Sequence, residues 1–252
     1  MKTTTPSTST TPGTTTLWAK GRFVVVSAAL LAGVALQFSN SAAAEHAIRL
    51  PAPALDPGAE AGAQPETAVF AGGCFWGVQA VFQHTKGVKQ VLSGYAGGEK
   101  RTADYSLVST GMTGHAESVQ ITYDPRQISY GTLLQIFFSV AHDPTQLNRQ
   151  WPDSGTQYRS AVFYTGAKQK VVAEHYIAQL DAAKLFSKSI VTQVTPLGAF
   201  YPAEPYHQDY ATLHPESGYI AVYDLPKIAN LKALLPLLYR DEPVLVATRG
   251  SK

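Results

Sequence analysis

The chain has 252 residues, of which 45% are hydrophobic and 15% are charged, and its formal net charge at pH 7 is +2. This near balance of charge gives no indication of nucleic acid or anionic lipid as a partner. The single cysteine excludes a disulfide within the chain, so the core must hold by packing alone.

The first 44 residues have the layout of a secretory signal peptide. They contain no Asp or Glu, and Lys20 and Arg22 precede an apolar run from Phe23 to Phe38. Small residues from Ser39 to Ala44 then form a cleavage-type site. Because the apolar run is shorter than the ~20 residues of a membrane-spanning helix, we predict cleavage after Ala44 and a secreted, periplasmic protein. An uncleaved N-terminal membrane anchor is the alternative.

Residues 45–66 are rich in Ala, Pro and Gly without any period, which is typical of a linker. The chain that follows is long enough for one domain with its own core. We place this domain at residues 67–238 and a C-terminal tail at residues 239–252. No internal repeat is visible in the sequence.

The hydrophobic pattern of the domain predicts alternating strands and helices. Strands are predicted at residues 67–71, 88–95, 116–123, 159–164 and 190–195, and helices at residues 75–84, 130–141, 167–186, 205–213 and 227–238. The clearest strand is 116–123, in which Glu117, Val119 and Ile121 share one face. We therefore expect an α/β (α+β) fold, a mixed sheet with packed helices close to a split βαβ or ferredoxin-like two-layer core.

Cys74 stands between a predicted strand and a predicted helix, directly after a glycine pair and before Phe75 and Trp76. Unpaired N–H groups and the dipole at a helix N-terminus favour a thiolate, which is the reactive form of cysteine. The position therefore indicates a nucleophile. A lone cysteine is more often a buried structural residue, and the flanking glycines and aromatic residues decide against that alternative.

The segment Gly73–Gly77 resembles the signature of type A peptide methionine sulfoxide reductases. Further segments match the same family in the same order: Gly94–Gly98, Thr113–Glu117, His142–Gln146, Asn148–Gln150, Pro152–Ser160 and Tyr206–Tyr210. The resemblance implies the family's α/β two-layer fold. It also implies an oxidoreductase that repairs oxidised proteins by reducing methionine S-sulfoxide, free or in proteins, to methionine.

That reaction sets the chemical requirements for a site. A thiolate attacks the sulfoxide sulfur, and the oxygen must gain protons before it leaves, so a nucleophile, an acid and polar donors are needed. Cys74 is the expected nucleophile. Glu117 is the candidate acid, because the resemblance gives the matching glutamate the role of proton donor. Sequence alone would favour an ordinary surface carboxylate at this position.

The resemblance also selects Tyr105 and Tyr158, among 13 tyrosines, as phenols that donate to the sulfoxide oxygen. Asp153 matches a family aspartate that lines the site and orients water. The sequence around it also favours a turn, and both roles can hold together. Phe75 and Trp76 are expected to form an apolar wall for the substrate's S-methyl group, with burial in the core as the alternative.

His115 and His207 are expected to make supporting hydrogen bonds rather than to act as acids or bases. The seven histidines are scattered and there is one cysteine, so we expect no metal and no cofactor. The expected partners are oxidised proteins or free methionine sulfoxide, together with a thiol reductant protein, and no nucleic acid. The expected assembly is a monomer.

The chain departs from many relatives of this family because it has no second cysteine. Those relatives carry one or two cysteines near the C-terminus, which attack the sulfenic acid and form an internal disulfide. Here the sequence after Tyr210 has none, and Ser109 stands where some relatives have another. A sulfenic acid at Cys74 must then be reduced by an external thiol, whether thioredoxin-like, glutaredoxin-like or small.

Two other functions stay open at this point. A thiol peroxidase would also use one cysteine and a sulfenic acid, and it would consume peroxide without turning over sulfoxide. A catalytically silent binding module would hold oxidised proteins through Phe75 and Trp76, and its binding would survive the loss of Cys74.

Overall fold

The computed structural model describes residues 47–58 and 63–246. The predicted signal peptide, part of the predicted linker and the end of the predicted tail lie outside the described residues. Within the described ranges, no helix is long and apolar enough to cross a bilayer.

Six strands of the described chain form one mixed sheet. They are β1 (Glu66–Gly72), β2 (Val88–Ala96), β3 (Ala116–Tyr123), β6 (Ser160–Tyr164), β7 (Gln193–Pro196) and β8 (Phe200–Pro202). Their order is β7-β6-β1-β3-β2-β8, and neighbours are antiparallel except for the parallel pair β6 and β7. A hairpin of β4 (Arg149–Gln150) and β5 (Asp153–Ser154) stands apart from this sheet.

The helices are α1 (Phe75–Gln83), α2 (Tyr105–Val108), α3 (Tyr130–Ile136), α4 (Ala167–Ala182), α5 (Tyr210–Leu213) and α6 (Leu225–Leu234). The π-helical turn Phe137–Ala141 continues α3, and a second π-helical turn, Ile220–Asp224, leads into α6. Short 3-10 turns cover Lys100–Thr102, Thr156–Tyr158 and Pro205–His207. The predicted mixed α/β architecture is confirmed.

The sheet has a large core on one face and a small one on the other. Side chains of α1, α3, α4 and α6 share the large core with Phe70 of β1. The Phe70 ring stacks on Phe137 with centroids 4.9 Å apart and lies 5.8 Å from Phe82 of α1. On the opposite face, small residues of β1 pack with Phe163 and Phe200. This packing fixes the end of β1 against α1, and Cys74 lies in the turn between them.

Predicted and observed elements differ mainly where the chain is irregular. The predicted helix 205–213 is split, because Gln208 is extended and Asp209 has a left-handed φ of 59°. The predicted helix 167–186 ends at Ala182, and the predicted strand 190–195 begins only at Gln193. No sequence pattern predicts β4, β5, β8 or α2, since elements of two to four residues are too short to show a period.

The described part of the predicted linker is docked on the domain. Residues 47–58 have no regular structure, but they lie across α3 and α4, and Leu50 is 1% exposed. Gln135 donates to the Leu50 carbonyl at 2.7 Å, and the Tyr176 hydroxyl donates to the Pro51 carbonyl at 2.8 Å. The Asp56 carboxylate accepts from the backbone N–H of Gly131, in the first turn of α3. We call residues 47–58 the strap.

The described part of the predicted tail also packs on the domain. The N–H of Arg240 donates to the His84 carbonyl at 2.8 Å, and the N–H of Val244 donates to the Gln83 carbonyl at 3.1 Å. The N–H of Val246 donates to the carboxylate of Asp209, which is 1% exposed. The tail therefore covers the C-terminal end of α1.

A docked strap predicts a loss of stability when its apolar anchor is shortened. Leu50→Ala should lower the free energy of unfolding by about 2 to 5 kcal/mol, because it removes buried methyl groups and leaves a cavity. The measurement is urea unfolding followed by circular dichroism. Leu237→Ala is the matched control, since Leu237 is 84% exposed. Equal unfolding midpoints for the two variants would show that the strap contributes nothing.

Candidate active site

Cys74 is the N-cap residue of α1, at the turn between β1 and this helix, as the sequence predicts. Two glycines make the turn possible. Gly73 has a φ of +89°, and a Cβ there would lie 2.6 Å from Gln150 Cβ, while a Cβ on Gly72 would lie 2.8 Å from the Phe137 ring. The turn brings the Cys74 side chain into a recess in which it is 8% exposed.

Burial dominates the acid–base state of this thiol. Burial raises the pKa of Cys74 well above its usual value, and the carboxyl groups of Glu117, Asp224 and Asp153 raise it further. The Trp76 N–H in the first turn of α1 acts in the opposite direction. The expectation of a thiolate in the resting protein therefore does not hold, because desolvation outweighs the helix N-terminus.

Glu117, the second residue of β3, lies beside the start of α1 and is 2% exposed. Its Oε2 accepts a hydrogen bond of 3.1 Å from the Phe75 N–H. Burial raises the pKa of Glu117 to about 8, and Asp153 and Asp224 add to the effect, while the Phe75 N–H opposes it. The carboxyl group is therefore mainly protonated at neutral pH, which is the property expected of the candidate acid.

The two predicted tyrosines lie within electrostatic range of Cys74 and Glu117. Burial raises the pKa of Tyr105 and of Tyr158, and Glu117 and Cys74, in their ionised forms, add to both shifts. Both phenols thus stay protonated and can donate hydrogen bonds. Tyr158 ends a 3-10 turn that Gln157 fastens to the Ser109 carbonyl at 3.0 Å.

Asp153 lies in β5, half-buried, and its Oδ2 accepts a hydrogen bond from the Tyr219 hydroxyl. Burial raises the pKa of Asp153, while the bond from Tyr219 and the charge of Lys227 lower it. The burial of Tyr219 raises the pKa of its own hydroxyl group, and Cys74 in its ionised form adds to this shift. Asp153 thus belongs to the same group of side chains as Cys74, and it lies in a strand rather than in the predicted turn.

Aromatic rings form one wall of the site. Trp76 is partly exposed and stacks on Tyr210, with ring centroids 4.0 Å apart, and meets Tyr219 edge-on at 6.0 Å. Phe75 is 1% exposed and lies behind it, 5.1 Å from the His207 ring. The surface open to solvent therefore belongs to Trp76, and Phe75 backs it from within the core.

The two predicted histidines make supporting contacts. Nδ1 of His207 accepts a 3.2 Å hydrogen bond from Nε1 of Trp76, and the His207 ring packs 4.4 Å from Tyr105. Burial lowers the pKa of His207, which favours the neutral ring that this bond requires. Nε2 of His115 lies 3.0 Å from the Glu99 carbonyl, and the ring is 1% exposed.

The structure adds three residues to the site that no matching segment contains. They are Tyr219, Asp224 and Lys227, and they follow the last matching segment in the chain. One signal for them was present, because Gly77 stands inside α1, where glycine is unfavourable relative to alanine by about 1 kcal/mol. In the described ranges, no group of three or more His, Cys, Asp or Glu side chains could hold a metal ion.

A recessed cysteine at a helix N-terminus, beside a buried protonated carboxyl group and phenols, is the kind of site that cysteine-dependent enzymes use. Comparison with known proteins gives the family. The family model described as "Peptide methionine sulfoxide reductase" matches residues 66–234. The chain belongs to this family, in its type A branch, and is an oxidoreductase that acts in methionine sulfoxide reduction and repair.

Individual relatives agree with this assignment. The chain is 61% identical to "Peptide methionine sulfoxide reductase MsrA 2" of Mesorhizobium japonicum over 186 residues, 74% of this chain and 95% of the relative. It is 56% identical to a protein of the same name from Synechocystis sp. over 66% of this chain and 78% of the relative.

Solved structures give the same fold. Mxr1 from Saccharomyces cerevisiae in reduced form has a TM-score of 0.58 and 30% identity, covering 68% of this chain and 96% of that chain. Methionine sulfoxide reductase A of Corynebacterium diphtheriae has a TM-score of 0.52 and 36% identity, covering 69% of this chain and 89% of that chain.

The state of Glu117 predicts a pH-dependent stability difference. Its pKa in the folded protein is about 8, above the usual 4.5. Between pH 4.5 and pH 8 the folded protein therefore keeps a proton on Glu117 that the unfolded chain has lost. The stability of the parent should fall as pH rises through this window, whereas Glu117→Gln lacks the effect. The variant should gain about 4 to 5 kcal/mol relative to the parent between pH 4 and 9.

Urea unfolding at a series of pH values measures this gain. Glu174→Gln on α4 is the control, because that side chain is 51% exposed. A difference between Glu117→Gln and the parent that does not change with pH would mean that Glu117 is ionised at neutral pH.

Proposed function

We propose that the protein reduces the S epimer of methionine sulfoxide, free or in proteins, with Cys74 as nucleophile and Glu117 as acid. The observation that carries this proposal is the position of Glu117. Its Oε2 accepts from the N–H of Phe75, the residue next to Cys74, and its burial keeps it protonated. Since Oε2 is the acceptor, the proton belongs on Oε1, where it is free to be donated.

Methionine sulfoxide fits the remaining groups of the site. The exposed face of Trp76 offers a polarisable apolar surface for the S-methyl group. Tyr105 and Tyr158 supply phenolic donors for the sulfoxide oxygen, and Asp153 is suited to hold a water molecule in the site. His207 holds the Trp76 ring in place through its Nδ1.

The chemical step transfers one oxygen atom. The Cys74 sulfur attacks the sulfur atom of the sulfoxide and forms a bond to it, while the proton of Glu117 passes to the sulfoxide oxygen. The proton of the thiol replaces the one that the Glu117 carboxyl group has given up. The bonds from the substrate sulfur to the oxygen and to Cys74 then break as the oxygen, carrying its proton, bonds to the Cys74 sulfur. Thiol and sulfoxide thus give sulfenic acid and thioether, with sulfur of Cys74 oxidised by two electrons and Glu117 regenerated.

Recycling requires a thiol from outside the chain, because the sequence has no other cysteine. An external thiol attacks the sulfenic sulfur, water leaves, and a mixed disulfide forms, which a second thiol resolves. The reductant is a thioredoxin-like or glutaredoxin-like protein or a small thiol. The composition of residues 1–44 supports export to the periplasm, where this thiol would have to be supplied.

The acid role of Glu117 predicts a slower first chemical step in Glu117→Gln. Gln keeps the shape of the side chain but cannot give up a proton in this way. The single-turnover rate of methionine formation at pH 7 should fall by roughly 10² to 10⁴. Glu99→Gln serves as the control, because that side chain is 72% exposed. If Glu117→Gln matches the parent, the acid is another group.

The absence of a second cysteine predicts a persistent sulfenic acid. Without reductant, the protein should release one equivalent of methionine and lose one titratable thiol, and a sulfenic-acid probe should label Cys74. Added small thiol should give a mixed disulfide by mass spectrometry, and excess oxidant should yield sulfinic acid that thiols do not reverse. Cys74→Ser should release no methionine.

Other results of this experiment would point to other functions. Peroxide consumption without sulfoxide turnover would identify a thiol peroxidase, and sulfoxide binding without turnover would identify a binding module. A dimer linked through Cys74 in every turnover would show that two copies resolve each other, against the external-thiol step.

A further inference from the structure

A buried ion pair lies behind the proposed active site. Asp224, which ends the π-helical turn before α6, is fully buried, and Lys227 in the first turn of α6 is 7% exposed. Lys227 Nζ lies 3.6 Å from Asp224 Oδ1. Burying two charges carries a large desolvation cost, so the position of this pair calls for a reason beyond packing.

The carboxyl group of Asp224 rests against the first turn of α1. A Cβ on Gly77 would lie 2.1 Å from Asp224 Oδ1 and 2.7 Å from its carboxyl carbon. Gly77 is three residues after Cys74, and any larger residue there would displace the carboxyl group. The glycine inside α1 is thus explained by the space that Asp224 occupies.

Charged and titratable groups from several elements surround the pair of Asp224 and Lys227. Cys74 at the start of α1, Glu117 on β3 and Tyr219 before the π-helical turn are within electrostatic range of Asp224. Asp153 on β5 and His142 after the α3 extension are within electrostatic range of Lys227. The negative charge of Asp224 raises the pKa of both Cys74 and Glu117. Burial lowers the pKa of His142 to about 3, so this ring is neutral and adds no cation.

We propose that Asp224 is a positioning residue. Its carboxylate, held by Lys227 against α1, keeps the thiol of Cys74 and the carboxyl group of Glu117 protonated until a sulfoxide enters. This inference deepens the proposed function and rests on the roles given there to Cys74 and Glu117. Lys227 pairs with the Asp224 carboxylate, and Gly77 leaves the space for that carboxylate beside α1.

The benefit of this arrangement is protection of a cysteine that has no internal partner. A thiolate sulfur takes one oxygen atom from hydrogen peroxide, and with one proton the other oxygen leaves as water, which yields the sulfenic acid without any repair. Further peroxide gives sulfinic acid, which thiols do not reverse. Because the thiol form reacts far more slowly, a charge that suppresses the thiolate suppresses this loss.

The test is Asp224→Asn, which keeps the shape and removes the charge. Iodoacetamide should alkylate Cys74 several-fold faster than in the parent at pH 7, and peroxide should inactivate the thiol faster by a similar factor. The alkaline fall of the single-turnover rate should move to lower pH, since Glu117 would lose its proton sooner. Asp241→Asn is the matched control, because Asp241 pairs with Lys232 of α6 at 2.8 Å and is 81% exposed.

A second variant keeps the test valid if Asp224→Asn alone does not fold. Asp224→Asn combined with Lys227→Met removes both buried charges, and alkylation should again be faster than in the parent. A folded variant of either kind with the parent's alkylation profile would overturn the inference. So would a parent protein whose Cys74 is alkylated at pH 7 as fast as N-acetylcysteine.

The alkylation and peroxide measurements are independent of the proposed function, unlike the single-turnover rate. Alkylation and peroxide inactivation need no sulfoxide, so they report on Asp224 even if the protein were to turn over no sulfoxide. If the protein turns over sulfoxide but Asp224→Asn leaves the alkylation rate unchanged, the proposed function stands and the role proposed for Asp224 is wrong.

Discussion

The hydrogen bond from the Phe75 N–H to Glu117 joins the two elements that carry the proposed chemistry. One partner opens α1 beside the nucleophile, and the other stands near the start of β3, 42 residues later in the chain. The bond can form because β1 and β3 are adjacent in the sheet, so the β1–α1 turn passes over the start of β3. Packing of Phe70 against α1 and α3 holds that turn in place. The distance between thiol and acid therefore depends on the whole sheet–helix interface.

Burial has opposite consequences for the two groups that it brings together. It favours the protonated form of Glu117, which is the form that an acid requires. It also favours the protonated form of Cys74, whereas a nucleophile reacts as the thiolate. In the proposed reaction the substrate resolves this conflict, since a sulfoxide oxygen that takes the Glu117 proton leaves a carboxylate that can accept the proton of the thiol. The reactive ionisation is thereby tied to the arrival of substrate.

The sequence predicts the elements with a clear period and the residues inside matching segments. The bounds of β3 agree with the prediction because apolar and polar residues alternate cleanly until Asp124-Pro125. Cys74, Glu117, Tyr105, Tyr158 and Asp153 come together as a group. Tyr219 and Asp224 could not be found in this way, since they reach the site through a π-helical turn that leaves no periodic pattern. The thiolate expectation failed for a related reason: the helix end is visible in the sequence, whereas the burial around it is a property of the fold.

The strap has a consequence for the order in which the molecule is assembled. The Tyr176 hydroxyl reaches the Pro51 carbonyl across 125 residues of sequence, and Gln179 bonds to the carbonyl of Ala52 across 127. Closing a loop of that length brings a large entropy cost before any contact is made, so such contacts form late. During synthesis or export, residues 47–58 emerge long before α4 exists to receive them. The segment that leaves the ribosome first among the described residues can therefore dock only after α4 has emerged.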